Sequence, residues 1–270
     1  VAPRINAYLG EHLHGLAVPG FYGMVGLGLV LAALLFRVRA SKANLSPLAL
    51  RALAESFPLA MLGSAMLPAL FTLPEGFQSP QQFFANGLVS YAGYLSGMAA
   101  LLWRVKHHRL PLGQVLDALA PALGVGIALG RWGCFFAGCD FGSPTLMPWG
   151  VRFPAGSQAF DTQVATGQIG AYQLLTLPVH PTQLYESALG VVVACVSGFG
   201  PDGVRPGSRF ARAAAVYALG RSLIELFRGD ANRGIVLGIS TAQWISLGVL
   251  ALVVAWHWQS RTLRLKEETA

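Results

Sequence analysis

The stretch Gly130-Arg131-Trp132-Gly133-Cys134-Phe135-Phe136-Ala137-Gly138-Cys139-Asp140-Phe141-Gly142 closes an apolar run that starts near Val115 and keeps an arginine inside it. An arginine at the centre of a membrane helix costs about 2.5–3.5 kcal/mol even on lenient insertion scales, so an intramembrane arginine marks a functional site. Reading this run as a transmembrane helix decides the fold class, because the chain repeats the pattern on both sides of it. Of the 270 residues, 54% are hydrophobic and 11% charged, against about 25% charged in ordinary soluble domains. The net charge of +7 is gathered in short clusters between apolar runs. That is the pattern of cytoplasmic loops, and it excludes nucleic acid as a partner.

Upstream, apolar runs at about 18–36, 53–73 and 83–103 read as the first three spans. Downstream, runs beginning near Gln183 and covering about 213–227 and 239–258 read as the fifth to seventh. Basic clusters follow the odd spans: Arg37, Arg39, Lys42 and Arg51; Arg104, Lys106 and Arg109; Arg205, Arg209 and Arg212; Arg261, Arg264 and Lys266. Only Arg228 and Arg233 depart from this order. The positive-inside rule therefore puts the N-terminus outside and the C-terminus in the cytoplasm. Residues 3–17, with Ile5, Leu9, Leu13 and Leu16 among charged neighbours, read either as a helix lying in the interface or as a frayed terminus. The chain opens at Val1 rather than Met, which reads as a trimmed N-terminus, and no secretory signal is recognisable. Residues 137–180 are punctuated by Pro and Gly and carry Trp149, Phe153 and Tyr172. A segment of that length with few charges reads as a small folded lid. The expectation is an all-α polytopic membrane protein, a single membrane domain over 1–270, with seven transmembrane helices and an extracytoplasmic lid between the fourth and fifth.

The sixth span carries Tyr217, Arg221, Glu225 and Arg228. At 100° per residue these project at about 0°, 40°, 80° and 20°, one polar stripe on an otherwise apolar helix. The structural reading is an i,i+4 pair between Arg221 and Glu225. The functional reading notes that two arginines on one carboxylate leave a positive charge over, and guanidinium is the natural bidentate partner of phosphate. Arg131 brings a third guanidinium to the same outer depth, or is neutralised by Glu225 or Glu186. His180, Gln183 and Glu186, in the run His180-Pro181-Thr182-Gln183-Leu184-Tyr185-Glu186, follow i, i+3, i+6 spacing and suit one hydrogen-bonding strip. Cys134 and Cys139 read three ways: a disulfide in an oxidising compartment, free thiols among Phe135, Phe136 and Phe141, or a redox or metal role. Two cysteines without a nearby His make a poor zinc site. No metal and no cofactor is expected.

These motifs resemble the prolipoprotein diacylglyceryl transferase family of bacterial inner-membrane enzymes. The resemblance rests on Tyr22-Gly23, the Gly130–Gly142 region, the HPTQLYE run at 180–186, the Tyr217/Arg221/Glu225/Arg228 face and Ser240-Thr241-Ala242-Gln243. It implies transfer of the diacylglyceryl group of phosphatidylglycerol to the lipobox cysteine of a preprolipoprotein, by a monomer whose active site faces the outer leaflet. It also implies Arg131 and Arg221 as phosphate contacts steadied by Glu225. Tyr22, Cys134, Gly142, Gln183, Tyr185, Glu186, Tyr217 and Arg228 are the implied substrate-binding set. The chain departs from the family in two places. Cys134, Ala137 and Cys139 stand where the family signature has asparagines and a glutamate. Ser90-Tyr91-Ala92-Gly93 stands where its third span offers a His before two glycines, the family's candidate base. The proton-accepting role then falls to His180, to Tyr91 or to a bound water. The alternatives are a paralogue with another acceptor or cysteine-based chemistry, and a non-enzymatic lipid-binding protein.

Overall fold

The structure, a computed structural model, describes residues 2–72, 90–199, 205–229 and 235–268. Among these the chain forms eight α-helices and one two-residue hairpin: α1 Ala2–Lys42, α2 Pro47–Thr72, α3 Ser90–His107, α4 Leu112–Ala137, α5 Gln158–Ala165, α6 Thr182–Phe199, α7 Ser208–Glu225, β1 Ile235–Val236, β2 Ile239–Ser240 and α8 Thr241–Glu268. Among the described residues four stretches are long and apolar enough to cross a membrane: Gly20–Lys42 of α1, all of α4, all of α6, and Thr241–Gln259 of α8. Residues 3–17, read from sequence as an interfacial helix or a frayed terminus, are the first part of the continuous helix α1.

Local chemistry sets the helix ends. Ser46 accepts from Leu48 N–H at 3.3 Å, with Pro47 at the first helical position, where its missing N–H leaves nothing unsatisfied. Ser240 and Gln243 cap α8 reciprocally, Gln243 N–H to Ser240 Oγ at 3.2 Å and Ser240 N–H to Gln243 Oε1 at 3.1 Å. That is a capping box. Helices α1, α3 and α4 each close through a residue in the left-handed region, Asn44, Arg109 and Gly138. The next N–H turns back onto the last turn: Leu45 to Ala40 O, Leu110 to Val105 O and Cys139 to Cys134 O. At Gly138 the glycine is required twice, because a Cβ would also sit 2.8 Å from Ser157 Cβ.

The chain divides into two compact units. In one, residues 36–119 and 203–208, α2 packs along α3. Gly97 lies against Ala60, and Glu55 pairs with Arg51 at 2.7 Å and Arg104 at 3.0 Å. In the other, residues 1–35, 120–202 and 209–270, α4 and α6 cross backbone to backbone. A Cβ on Gly124 would lie 2.5 Å from Ala194 N, and one on Gly190 would lie 2.6 Å from Ala128 N. Ser187 Oγ donates to Ala128 O at 2.9 Å across the same crossing, the small-and-polar contact by which membrane helices associate.

Residues 138–181 fold on an apolar cluster in which Phe141, Phe153, Ala159 and Val179 pack with Phe135 of α4. They include α5, capped by Ser157. Three segments meet at Gly142, which donates to His180 O at 3.0 Å while Ser143 N–H donates to Phe227 O at 2.8 Å and Gly229 N–H to Phe141 O at 3.2 Å. A Cβ on Gly142 would meet His180 O at 2.5 Å. This junction corrects two expectations. Helix α7 stops at Glu225, so Arg228 is not on its face; it lies past the end, bridged to Gly142. His180 likewise precedes α6, and its backbone is drawn into the same junction, so His180, Gln183 and Glu186 do not form one strip.

Gly190→Val drives a branched side chain into the α4 backbone, and overpacking of this kind costs about 1–3 kcal/mol. The thermal unfolding midpoint in detergent should fall for Gly190→Val. It should hold at or above wild type for Gly26→Ala, where nothing lies within 4 Å.

Candidate active site

Glu186, on the second turn of α6, is fully buried. Its carboxylate faces three guanidinium groups from three parts of the chain: Arg131 Nε at 2.7 Å, Arg228 Nη1 at 3.5 Å and Arg221 Nε at 3.6 Å. Glu225 takes Arg221 one turn along α7. Asp140, just past the α4 cap, accepts from Arg131 Nη1 and Arg228 Nη2, both at 2.7 Å. Arg221 and Arg228 are 7% exposed, and Asp140 is the member open to solvent, its side chain 36% exposed. Burial tends to raise the Asp140 carboxyl, but the two guanidiniums beside it outweigh that and hold it down to about 2.

Three arginines and three carboxylates therefore meet, which corrects the expectation of a positive charge left over on Glu225. Sequence reasoning missed Asp140. The signal was present in the Gly138-Cys139-Asp140-Phe141-Gly142 run, where one acid follows an apolar run that carries an arginine.

The first turns of α6 hold the loop that carries Asp140. Thr182 Oγ1 donates to Asp140 O at 2.7 Å, and the fully buried Gln183 donates through Nε2 to Cys139 O at 2.6 Å. Tyr185 points the other way: its hydroxyl accepts from Trp149 Nε1 at 2.8 Å and lies 3.1 Å from His180 Nδ1. Phe227 stacks edge-on against both rings. The run 180–186 is thus spent on two tasks, fixing Asp140 and Glu186 on one side and latching the 138–181 segment on the other. Trp149 was noted in the sequence only as part of a lid, and its bond to Tyr185 could not be read there.

Cys134 and Cys139 are free thiols, which answers the disulfide alternative. Cys139 Sγ lies 3.7 Å from Cys134 O, and hydrogen bonding to Cys134, reinforced by burial, pushes its thiol well above the usual range. Tyr217 packs with Leu189 and Val216 beside the buried Ala120, Val193 and Ala213. Tyr22, on α1, is 69% exposed with its ring edge-on to Phe21. Among the described residues no hydrogen bond or ion pair joins it to the cluster. Tyr91 falls in the first turn of α3, and its side chain lies outside the described residues.

The family model described as prolipoprotein diacylglyceryl transferase matches residues 12–259. The chain is similar to the phosphatidylglycerol–prolipoprotein diacylglyceryl transferase of Clostridium tetani, 28% identical over 87% of this chain and 90% of the relative. It is also similar to that of Proteus mirabilis, 31% identical over 74% and 72%, and to that of Nitrosomonas europaea, 32% identical over 74% and 69%.

Removing one partner from a buried ion cluster leaves an uncompensated charge, at a cost of about 3–5 kcal/mol. Glu186→Gln should lower the unfolding midpoint in detergent by that measure. Arg51→Gln, at a side chain 70% exposed, should change stability by no more than about 1 kcal/mol.

Proposed function

The chain belongs to the prolipoprotein diacylglyceryl transferase family, and from that membership and the site's geometry we propose that it transfers the diacylglyceryl group of phosphatidylglycerol to the lipobox cysteine thiol of a preprolipoprotein, forming a thioether. The observation that carries this reading is the convergence of Arg131, Arg221 and Arg228 on Glu186. Loss of glycerol phosphate from the lipid builds negative charge on a phosphate oxygen, and preorganised donors aimed at developing charge contribute the largest single share of many enzymes' rate. Glu186 and Glu225 hold the guanidiniums in place before substrate arrives. Asp140, open to solvent, occupies the position an incoming phosphate takes on Arg131 and Arg228.

Arg131 and Arg221 are the phosphate contacts, with Glu225 orienting Arg221. Arg228, Tyr217, Gln183, Tyr185, Glu186, Gly142, Cys134 and Tyr22 complete the binding region. His180, held through Tyr185, and Tyr91 are the side chains available to take the thiol proton. The enzyme works as a monomer in the bacterial inner membrane, with seven spans, the N-terminus outside, and residues 137–180 as an extracytoplasmic lid over a site that faces the outer leaflet. The basic clusters that follow the odd spans support this orientation.

Purified protein incubated with phosphatidylglycerol and a lipobox peptide should give the lipidated peptide. Arg221→Ala should slow the reaction by about 10²–10³-fold, the usual cost of losing one electrostatic donor. Absence of product, with an active relative run in parallel, counts against the reading.

A further inference from the structure

Cys134, Cys139 and Asp140 each turn one ligand atom toward the others, and the two sulfurs and a carboxylate oxygen all lie within 4.8 Å of one another. We infer that this triad is a zinc site that binds and deprotonates the acceptor thiol. The inference rests on the transferase reading above, and it gives the thiol proton a route other than His180 or Tyr91.

Sequence alone gave two cysteines and no histidine, too few ligands for zinc. The α4 cap supplies the third. Because Gly138 takes the left-handed conformation and Cys139 N–H folds back onto Cys134 O, the residue after Cys139 comes round beside the first thiol. Three protein ligands with a fourth position open is the pattern of catalytic rather than structural zinc. With Zn–S near 2.3 Å and Zn–O near 2.1 Å, tetrahedral ligands stand about 3.6–3.8 Å apart. The triad therefore needs to close by up to about one ångström around the ion.

The surroundings suit the ion. Two thiols lose two protons as Zn²⁺ enters, so local charge does not change among three arginines and three carboxylates. In the resting site Asp140 has Arg131 and Arg228 as hydrogen-bond donors, the outer support that metal-bound carboxylates commonly have; each carboxylate oxygen has a second lone pair for the metal, so the carboxylate stays on the ion when phosphate takes the two guanidiniums. Gln183 fixes the Cys139 carbonyl, and its buried Oε1 has no hydrogen-bond partner among the described residues. Asp140 is open to solvent, which gives the ion a way in.

A thiol coordinated to zinc is deprotonated outright. The acceptor cysteine displaces the water in the fourth position, releases its proton to solvent and stays as a zinc-bound thiolate. Its sulfur lone pair attacks the glycerol carbon of the lipid. The C–S bond forms as the C–O bond breaks, the bonding pair leaves on the oxygen of glycerol phosphate, and the neutral thioether dissociates from zinc. No oxidant or reductant is consumed.

The test uses the purified full-length chain, reduced, stripped of metal and reloaded with Zn²⁺, assayed for bound zinc and for transfer from phosphatidylglycerol to a lipobox peptide. The expected result is about one zinc per chain, falling below about a tenth of that in Cys134→Ser and in Cys139→Ser. Chelation should slow transfer by about 10²-fold or more, the scale of a lost proton-transfer group, and Zn²⁺ should restore it. Co²⁺ loaded into the wild-type chain, which requires no variant to fold, should give a thiolate-to-cobalt absorption band. The band should strengthen with the lipobox peptide and not with its Cys→Ser analogue. A reduced chain that takes up no zinc, or one that transfers undiminished after chelation, overturns the site. A chain that holds zinc through both cysteines and transfers nothing upholds the metal site and sinks the transferase reading instead.

Discussion

Glu186 sits fully buried among three guanidinium groups, and the arrangement of this half of the chain follows from keeping that carboxylate compensated. A lone charge in a low-dielectric interior costs several kcal/mol, so α4, α7 and the turn after α7 must each deliver an arginine to α6. The close crossing of α4 and α6 at Gly124 and Gly190 sets the separation at which a side chain from one reaches the other. Ser187, next in sequence to Glu186, bonds the α4 backbone directly. Glycine and serine at the crossing and charge at one end of it are thus parts of one constraint.

The junction at Gly142 answers to the same demand. Arg228 reaches Glu186 and Asp140 only because α7 ends at Glu225 and the chain bends to lie beside Gly142. Gly142 and Gly229 let three backbones approach where any side chain would collide. Thr182 and Gln183 hold the successive carbonyls of Asp140 and Cys139 from the other side. Each member of the run 180–186 that was a candidate ligand from sequence also has a positioning task in the fold.

Much of this was legible in the sequence. Four of the apolar runs are helices long enough to span a membrane, and the pairing of Arg221 with Glu225 follows from 3.6-residue periodicity. The capping residues and the ends of α1, α3 and α4 are written locally in Ser, Pro, Asn and Gly. What could not be read was contact between distant positions. Periodicity assigned Arg228 to the helix face because nothing in Leu226-Phe227 signals that the helix has stopped; the stop is imposed by Gly142, some 86 positions earlier. Asp140 escaped notice because charge was balanced along one helix, whereas its partners lie nine and 88 positions away.

That omission matters for how the site takes an anion. With three arginines facing only Glu225, net positive charge would draw phosphate in; with Glu186 and Asp140 present, no such surplus exists among the named groups. Under the proposed function binding proceeds by exchange, in which an incoming phosphate replaces one carboxylate on guanidiniums already in place. Of the three carboxylates only Asp140 can yield, because Glu186 and Glu225 are buried and Asp140 faces solvent. Its backbone is meanwhile fixed by Thr182, so the carboxylate can swing without the loop moving. The same residue adjoins Cys139. The α4 cap sets two thiols beside the carboxylate, so under the proposed function and the zinc inference together the lipid and the acceptor thiol meet at a single side chain.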